Sequence, residues 1–554
     1  MKHLPDRNIF IFSVVAILIL WQMLLPGYIL TLDMVFTPEI KALFSGTNYN
    51  NALPFYYILH FVSGFIPAWI IQKIILFILF FGLGYFSYKF LPLSENKTVR
   101  IFSALLYTVN PFVYSRFLAG HWTHLMAYAL LPVFVHWLLK FTKSPSFKSS
   151  IKLFVSILLI SLFSLHFFTM LAVIMAVWFL VYAIKYLAIN NLVLLKLTFK
   201  NLLCGVSLFL ILGSYWLIPV IVRGQAFEQR FDRQHWLAFA ASGHDKISTT
   251  VNILSLNGFW AENQPWSRQF AWPQDYQVFW LALIIIWFLI LIGVIYGFKN
   301  KDLRPRVIFF STLGILAFVF STGAGDTVFK NFNISLYEHV PFWRGFRDSQ
   351  KFVGLLALSY AVLSGIGLGI CIEWLQKKKE KFVAYFPIVI LFVPVLFGYL
   401  LWGGFRNQVR AVWYPEAWYQ AKNIIQVDNS DYHVLFLPWH GYLSLNFNAN
   451  LLVANPAKRF FGTKAVVSKS VELEGIYDQE LNAAYLQLDQ VIKNGQSLVP
   501  NEMIDYFEVQ DIKYIIYFQD LNSVDNLHYE FLASPRLKML INDAQLQMYQ
   551  IEVK

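Results

Sequence analysis

Eleven apolar runs, each close to the length needed to cross a bilayer, constrain this chain more than any other feature. They lie at about 9–30, 67–90, 99–115, 123–140, 151–166, 168–186, 201–222, 277–298, 306–321, 351–375 and 382–402. A spanning helix needs ~20 mostly apolar residues. Its backbone groups must all be satisfied internally, because the hydrocarbon offers no water to bond them. The runs at 99–115, 151–166 and 306–321 are short, and Asn110-Pro111 is expected to end or kink the first of these. The run from Ile9 to about Leu30 exceeds the ~7–15 residues of a signal-peptide core, and no small-residue cleavage site follows. It is expected to be a retained first span. Composition agrees, with 57% hydrophobic and only 14% charged residues.

Charge placement orients the spans. With the N-terminus in the cytoplasm, the inner loops carry Lys89, Lys97 and Arg100, then Lys140, Lys143, Lys148 and Lys152, then Lys185, Lys196 and Lys200. Lys299, Lys301, Arg304 and Arg306 follow, and then Lys377, Lys378, Lys379 and Lys381. The short outer connections hold little beyond Lys41 and Arg116. This is the positive-inside pattern. It also accounts for the net charge of +12 without a nucleic acid, because the basic residues sit in short loops between apolar runs. An odd number of spans then places residues 403–554 outside. Cys204 and Cys371 both lie in apolar runs, so neither a disulfide framework nor a Cys-based zinc site is available.

The polar mass therefore gathers on one face. A membrane domain, 1–402, carries outer loops 31–66, 223–276 and 322–350, with a shorter one at 116–123. Pro54 to Ile66 is apolar but too short to span, and reads as interfacial or re-entrant. Trp236, Trp260, Trp266 and Trp272 suit a loop lying at headgroup level. The tail, 403–554, reads as a small extracytoplasmic α/β domain. Its helix-like stretches are Pro415–Gln426, Asp478–Asn494 and Pro500–Phe507, and its strand-like ones His433–Pro438, Ile512–Phe518 and Gln545–Glu552. No nucleotide-cradling glycine loop and no His-Glu-x-x-His metal motif occurs.

Three polar segments stand at the outer rim. Pro26 to Glu39 contains Asp33 just beyond span one, between apolar neighbours. Burial there would raise its pKa and suit a general base, whereas a solvated interfacial Asp or a helix cap would serve structure alone. The stretch Tyr107 to His124 brings Arg116, His121 and His124 to a short connection. These could hold a phosphate or snorkel to headgroups. Pro341 to Lys351 gathers Arg344, Arg347 and Lys351 against the positive-inside bias, which points to a lipid phosphate or to ordinary outer headgroups. Arg230, Arg233, His235, His244, Glu262 and Asp275 read as surface polar residues, and His136 and His166 as packing residues.

These features together resemble the GT-C superfamily of membrane glycosyltransferases. Within it, they look like the bacterial YfhO-like proteins and related GT-C proteins of envelope glycan assembly. The likeness rests on the many spans, the Asp after span one, the re-entrant first outer loop and the outer C-terminal domain. Pro26–Glu39, Asn110–Pro132 and Pro341–Lys351 look like that family's segments. The resemblance covers residues 9–402 and less of the tail. It implies an α-helical polytopic GT-C-like fold of about eleven transmembrane helices with a small extracytoplasmic α/β domain. It further implies sugar transfer from a polyprenyl-phosphate-linked donor to a glycan, lipid or protein acceptor at the outer face, among membrane lipids. Asp33 would take the catalytic carboxylate's place. Glu39 is the candidate for a second carboxylate, which leaves dependence on a divalent metal open. Arg116, His121, Arg344, Arg347 and Lys351 would bind the donor phosphate and stabilise it as it departs. The competing readings are a transporter or lipid flippase, and a non-catalytic scaffold. Against the transporter, the span interiors are nearly free of charge, with Lys73 the main exception.

Overall fold

A computed structural model describes residues 7–40, 51–189, 192–228, 231–244, 247–264, 269–377, 385–473, 476, 482–494, 500–519 and 529–552. Lys41, Arg230, Trp266, Lys378, Lys379 and Lys381 lie outside these residues. The chain divides into two compact units. The first comprises Met1–Trp21, Ala42–Ile58 and Ile74–Gln408, and the second Gln22–Lys41, Leu59–Lys73 and Val409–Lys554.

Each of the eleven apolar runs contains helix. Among the described residues, seven helices are long and apolar enough to cross a membrane: Ala68–Phe90, Trp122–Lys143, Leu165–Tyr182, Lys196–Val222, Gln277–Lys299, Arg304–Ser321 and Ser349–Lys377. A bent pair, Phe386–Phe397 and Tyr399–Asn407, makes eight if it counts as one span. The remaining runs give shorter helices for visible reasons. The first stops at Leu24 because Pro26-Gly27 turns the chain; Gly27 sits at φ 121°, and a side chain there would meet the Val412 backbone. The run at 99–115 breaks into Lys97–Thr108 and Pro111–Leu118, where Asn110 caps the second helix by accepting from the Val113 amide. The run at 151–166 becomes Phe147–Phe163, opened by a capping box between Ser146 and Ser149. The apolar segment at 54–66 forms the 11-residue helix Leu53–Ser63.

Within the first unit, Ser349–Lys377 is the most enclosed span, with 83% of its apolar window buried, against 22% for Lys196–Val222. The outward residues of Lys196–Val222, such as Ile211, Ile221 and Val222, are exposed, as a lipid-facing surface requires. The central helix meets Gln277–Lys299 at Gly293 and Gly367. A Cβ at either would run into a carbonyl of the other helix, Leu363 or Leu289. Small residues at such a crossing let two backbones approach where lipid provides no hydrophobic drive.

The second unit is a sheet between helical layers. Its strands are β1 (His433–Leu437), β2 (Tyr442–Leu445), β3 (Leu451–Ala454), β4 (Ala465–Val466), β5 (Ile512–Phe518), β6 (Leu537–Asn542) and β7 (Leu546–Ile551). The main sheet runs β4-β1-β5-β7-β6, with β4, β1 and β5 parallel and β7 antiparallel to both neighbours; β2 and β3 form a separate hairpin. Alternation divides the strands between two cores. Val434, Phe436 and Ile516 pack with Trp418, Ala421 and Ile425 of the helix Glu416–Val427. Leu435, Leu437 and Ile515 pack with Leu488 and Ile492 of Ala483–Asn494 and with Ile504 and Phe507 of Pro500–Val509. The segment after the first helix belongs to this unit. Tyr28 and Val412 exchange backbone hydrogen bonds, and the Leu32 carbonyl accepts from Ala454 at 2.6 Å.

Candidate functional site

In the first unit a polar cluster forms where four chain segments meet. Arg116 leaves the Pro111–Leu118 helix and is almost wholly buried. Its two terminal nitrogens grip Asp348 at 2.5 and 2.9 Å. Burial alone would raise the Asp348 carboxyl, but the Arg116 guanidinium, and after it Lys351, hold it well below the usual carboxylate range. His121, just before the helix Trp122–Lys143, places Nδ1 3.3 Å from the same guanidinium. The Arg116 plane also lies over the Phe259 ring at 4.8 Å.

Lys351 stands one turn beyond Asp348, 3.7 Å from its carboxylate. Its Nζ is 3.2 Å from Nε2 of His166, which also lies 3.0 Å from the Gly345 carbonyl. One nitrogen cannot serve both: Nε2 donates to Gly345 or accepts from Lys351. His124 completes the histidine row, with Nδ1 3.0 Å from the Ser164 hydroxyl and its ring stacked on Phe167. Nearby, burial pushes the Glu262 carboxyl up to about 8, partly offset by the Phe259 and Gly258 amides and by Arg116. Two cationic side chains, Arg116 and Lys351, face the carboxylate of Asp348, while burial favours the neutral form of the Glu262 carboxyl. The cluster carries an excess of positive charge.

Arg344 and Arg347 occupy the turn just before it. Arg344 donates through Nε to the Tyr337 carbonyl at 3.2 Å and lies over Trp236, whose ring stacks on Tyr337. The Arg347 guanidinium lies over two rings, Phe231 at 4.7 Å and Phe239 at 4.3 Å. Both side chains are half-buried. Rings packed on its face fix the plane of a guanidinium, and with it the directions in which its N–H donors point.

Asp33 and Glu39 belong to the second unit. Thr31 and Met34 close a tight turn through reciprocal backbone bonds, and this turn presents Asp33 half-buried. The Tyr442 hydroxyl, at the start of β2, donates to Asp33 Oδ1 at 2.8 Å. Glu39 is engaged by Lys422, whose Nζ donates to Oε1 at 2.6 Å, and more weakly by Gln426. Among the described residues, no group of three or more His, Cys, Asp or Glu is placed to hold a metal ion.

The structure thus gathers Arg116, His121 and Lys351 into one cluster, sets Arg344 and Arg347 beside it, and puts the two carboxylates in the other unit. Of the loop residues read as surface polar, His235 pairs with Asp232, and His244 stacks on Trp272 beside Asp275. Sequence reasoning passed over Asp348, although its place among Arg347 and Lys351 in a basic stretch was a signal. It also set aside His166 and Glu262 and did not consider Tyr442. Lys73, on the helix Ala68–Phe90, is buried, and its Nζ has no hydrogen-bond partner among the described residues.

No protein-family model matches the chain, and no curated protein matches it. Solved structures do. The arabinofuranosyltransferase AftD from Mycobacteria aligns with 100% of this chain at a TM-score of 0.64 and 13% identity. Two structures of the Archaeoglobus fulgidus oligosaccharyltransferase are more distant. One, named AglB and bound to an inhibitory peptide and a dolichol-phosphate, aligns at a TM-score of 0.43 and 10% identity over 93% of this chain and 65% of its own. The other, with Zn and sulfate, aligns at 0.36 and 9% over 92% and 68%. These two carry no argument here. The chain spans 42% of the length of the mycobacterial protein. At such low identity the likeness speaks for the fold alone: the chain is an α-helical polytopic membrane protein with a small α/β unit at its C-terminal end, folded like the matching part of that mycobacterial structure.

Proposed function

We propose that this protein is a membrane glycosyltransferase that moves a sugar from a polyprenyl-phosphate-linked donor to an acceptor on the outer face. The observation that carries the reading is the alignment of the whole chain with an arabinofuranosyltransferase. The excess positive charge of the cluster around Lys351 supports it, because a lipid-borne donor presents a phosphate at the membrane boundary. Asp33 is assigned the general base. It takes the proton of the acceptor hydroxyl as the oxygen attacks the anomeric carbon, while the sugar–phosphate bond breaks and the phosphate leaves with the electron pair. Tyr442 holds the carboxylate in place through Oδ1. Lys351, with Arg344 and Arg347, is assigned the donor phosphate. Arg116 and His121 position that set, since the Arg116 terminal nitrogens are committed to Asp348. Glu39, tied to Lys422, orders the loop that bears Asp33. The second unit is assigned to the extracytoplasmic side, because the positive-inside pattern of the basic loops puts residues 403–554 outside when the number of spans is odd.

The test is turnover in proteoliposomes with polyprenyl-phosphate-linked sugars, starting with an arabinofuranosyl donor. Asp33→Asn keeps size and most hydrogen bonding but lacks the basic lone pair. It is expected to insert normally and lose ~10²–10⁴ in rate. Full activity in this variant would end the assignment.

A further inference from the structure

A second cationic site lies at the opposite end of the helix Trp122–Lys143 from His121. At ~1.5 Å per residue, this helix separates the two sites by roughly 30 Å. Lys89, Arg100, Lys140, Lys143 and Arg306 line one cavity of about 640 Å³. Among the described residues, the lining holds one carboxylate, Glu95, which is exposed and paired with Arg100 at 2.7 Å. Five positive charges against one leave an excess of four. A cavity of this size is in the range of small-ligand sites, ~300–1,000 Å³.

Orientation of the spans explains why cations are present at this end, but not why five of them face one cavity. Two are fixed in place. Arg100 donates to the Tyr88 carbonyl at 3.0 Å, and Arg306 donates to the Pro92 carbonyl at 3.3 Å. Arginines anchored to backbone carbonyls are preorganised, unlike side chains that snorkel freely. Lys89 and Lys140 occupy the last turns of two spans, and Arg306 the first turn of a third, so the cavity opens at headgroup level. Leu93 and Leu139 add apolar wall beside the cations. Cations, apolar wall and interfacial depth together match a phosphate carried on glycerol and acyl chains. They match a free anion less well, since it would have no use for the leucines.

We propose that this cavity binds the phosphate headgroup of an anionic membrane lipid, separately from any sugar donor. The experiment is native mass spectrometry of the full chain in detergent, titrated with phosphatidylglycerol and, separately, phosphatidylcholine. The wild type is expected to bind phosphatidylglycerol at least about tenfold more tightly, a difference in line with charge-assisted contacts. Lys140→Gln with Arg306→Gln should erase most of that preference, and millimolar inorganic phosphate should not displace the lipid. Lys140 is exposed, so Lys140→Gln alone serves if the double variant does not fold. Equal affinity for the two lipids, an unchanged preference in the variants, or displacement by inorganic phosphate would each overturn the proposal.

Discussion

Arg116 and Asp348 close a two-pronged ion pair across 232 residues of sequence, and both are buried. The pair ties the Pro111–Leu118 helix to the entry of the central span. Removing one partner leaves the other buried, with only the weaker contact of Lys351 for Asp348 or of His121 for Arg116. Asp348→Ala, or Arg116→Ala, is expected to cost ~3–5 kcal/mol, whereas replacing both with apolar residues should cost less. Thermal unfolding in detergent reads this directly, and a loss below about 1 kcal/mol in the single variants would show the pair to be incidental. The pH dependence has a definite sign. The folded carboxyl sits below its unfolded value, so its contribution is complete above about pH 4 and is lost as the pH falls through the folded pKa.

Glu262 gives the opposite slope. Burial raises its carboxyl from 4.5 to about 8, so the folded state holds a proton that the unfolded chain releases. Stability should therefore fall as the pH rises between those two values. Glu262→Gln mimics the protonated form and should flatten the curve in that window, with melting temperature at pH 8 equal to or above that of the wild type. An unchanged pH slope in the Gln variant would remove Glu262 as its source.

If Arg344 and Arg347 meet the donor phosphate, Ala at either should weaken donor binding by ~1.5–3 kcal/mol with little change in melting temperature. Arg347→Lys is more discriminating. It keeps the charge but loses the planar contact with Phe231 and Phe239, so it should restore only part of the affinity. Well-folded Ala variants with wild-type donor affinity would assign both arginines to ordinary headgroups.

Lys73 holds a buried side-chain nitrogen with no hydrogen-bond partner among the described residues. Such a group costs on the order of 1–3 kcal/mol. Lys73→Met, close in length and apolar, is expected to raise the melting temperature. A drop would mean that the nitrogen is stabilised in place, and the transport reading of an intramembrane ionisable group would gain weight.

How much of this was legible in the sequence varies with the kind of signal. The helices within the apolar runs were, because an apolar run of bilayer length has few other uses. Among the described residues, however, only seven, or eight with the bent pair, are long and apolar enough to cross a membrane. Asn110-Pro111 marked its own break. The helices at 416–427 and 500–509 and strands β1, β5 and β7 were found through periodicity. The short strands β2, β3 and β4 were not, because two to four residues hold too little alternation to register. The Arg116–Asp348 pair was invisible for a different reason. Arg116 was picked out as a cation at the rim, but nothing local to it names a partner 232 residues away. Tyr442 and Asp33 present the same difficulty at a separation of 409 residues.

That long reach also sets a schedule. The Leu30 carbonyl accepts from Asn448, which is 418 residues further along, and the Val35 carbonyl accepts from Arg459, 424 residues on. At a ribosomal pace of ~5–20 residues per second, this segment waits roughly 20–80 seconds for its partners to be made. Tyr28, Leu30 and Val35, all buried in the finished unit, spend that interval uncovered. The second unit is thus begun early, at Gln22, and is the last to be finished. A nascent chain that stalls before β2 displays an unmatched apolar strap, by which quality-control machinery can tell an unfinished copy from a complete one.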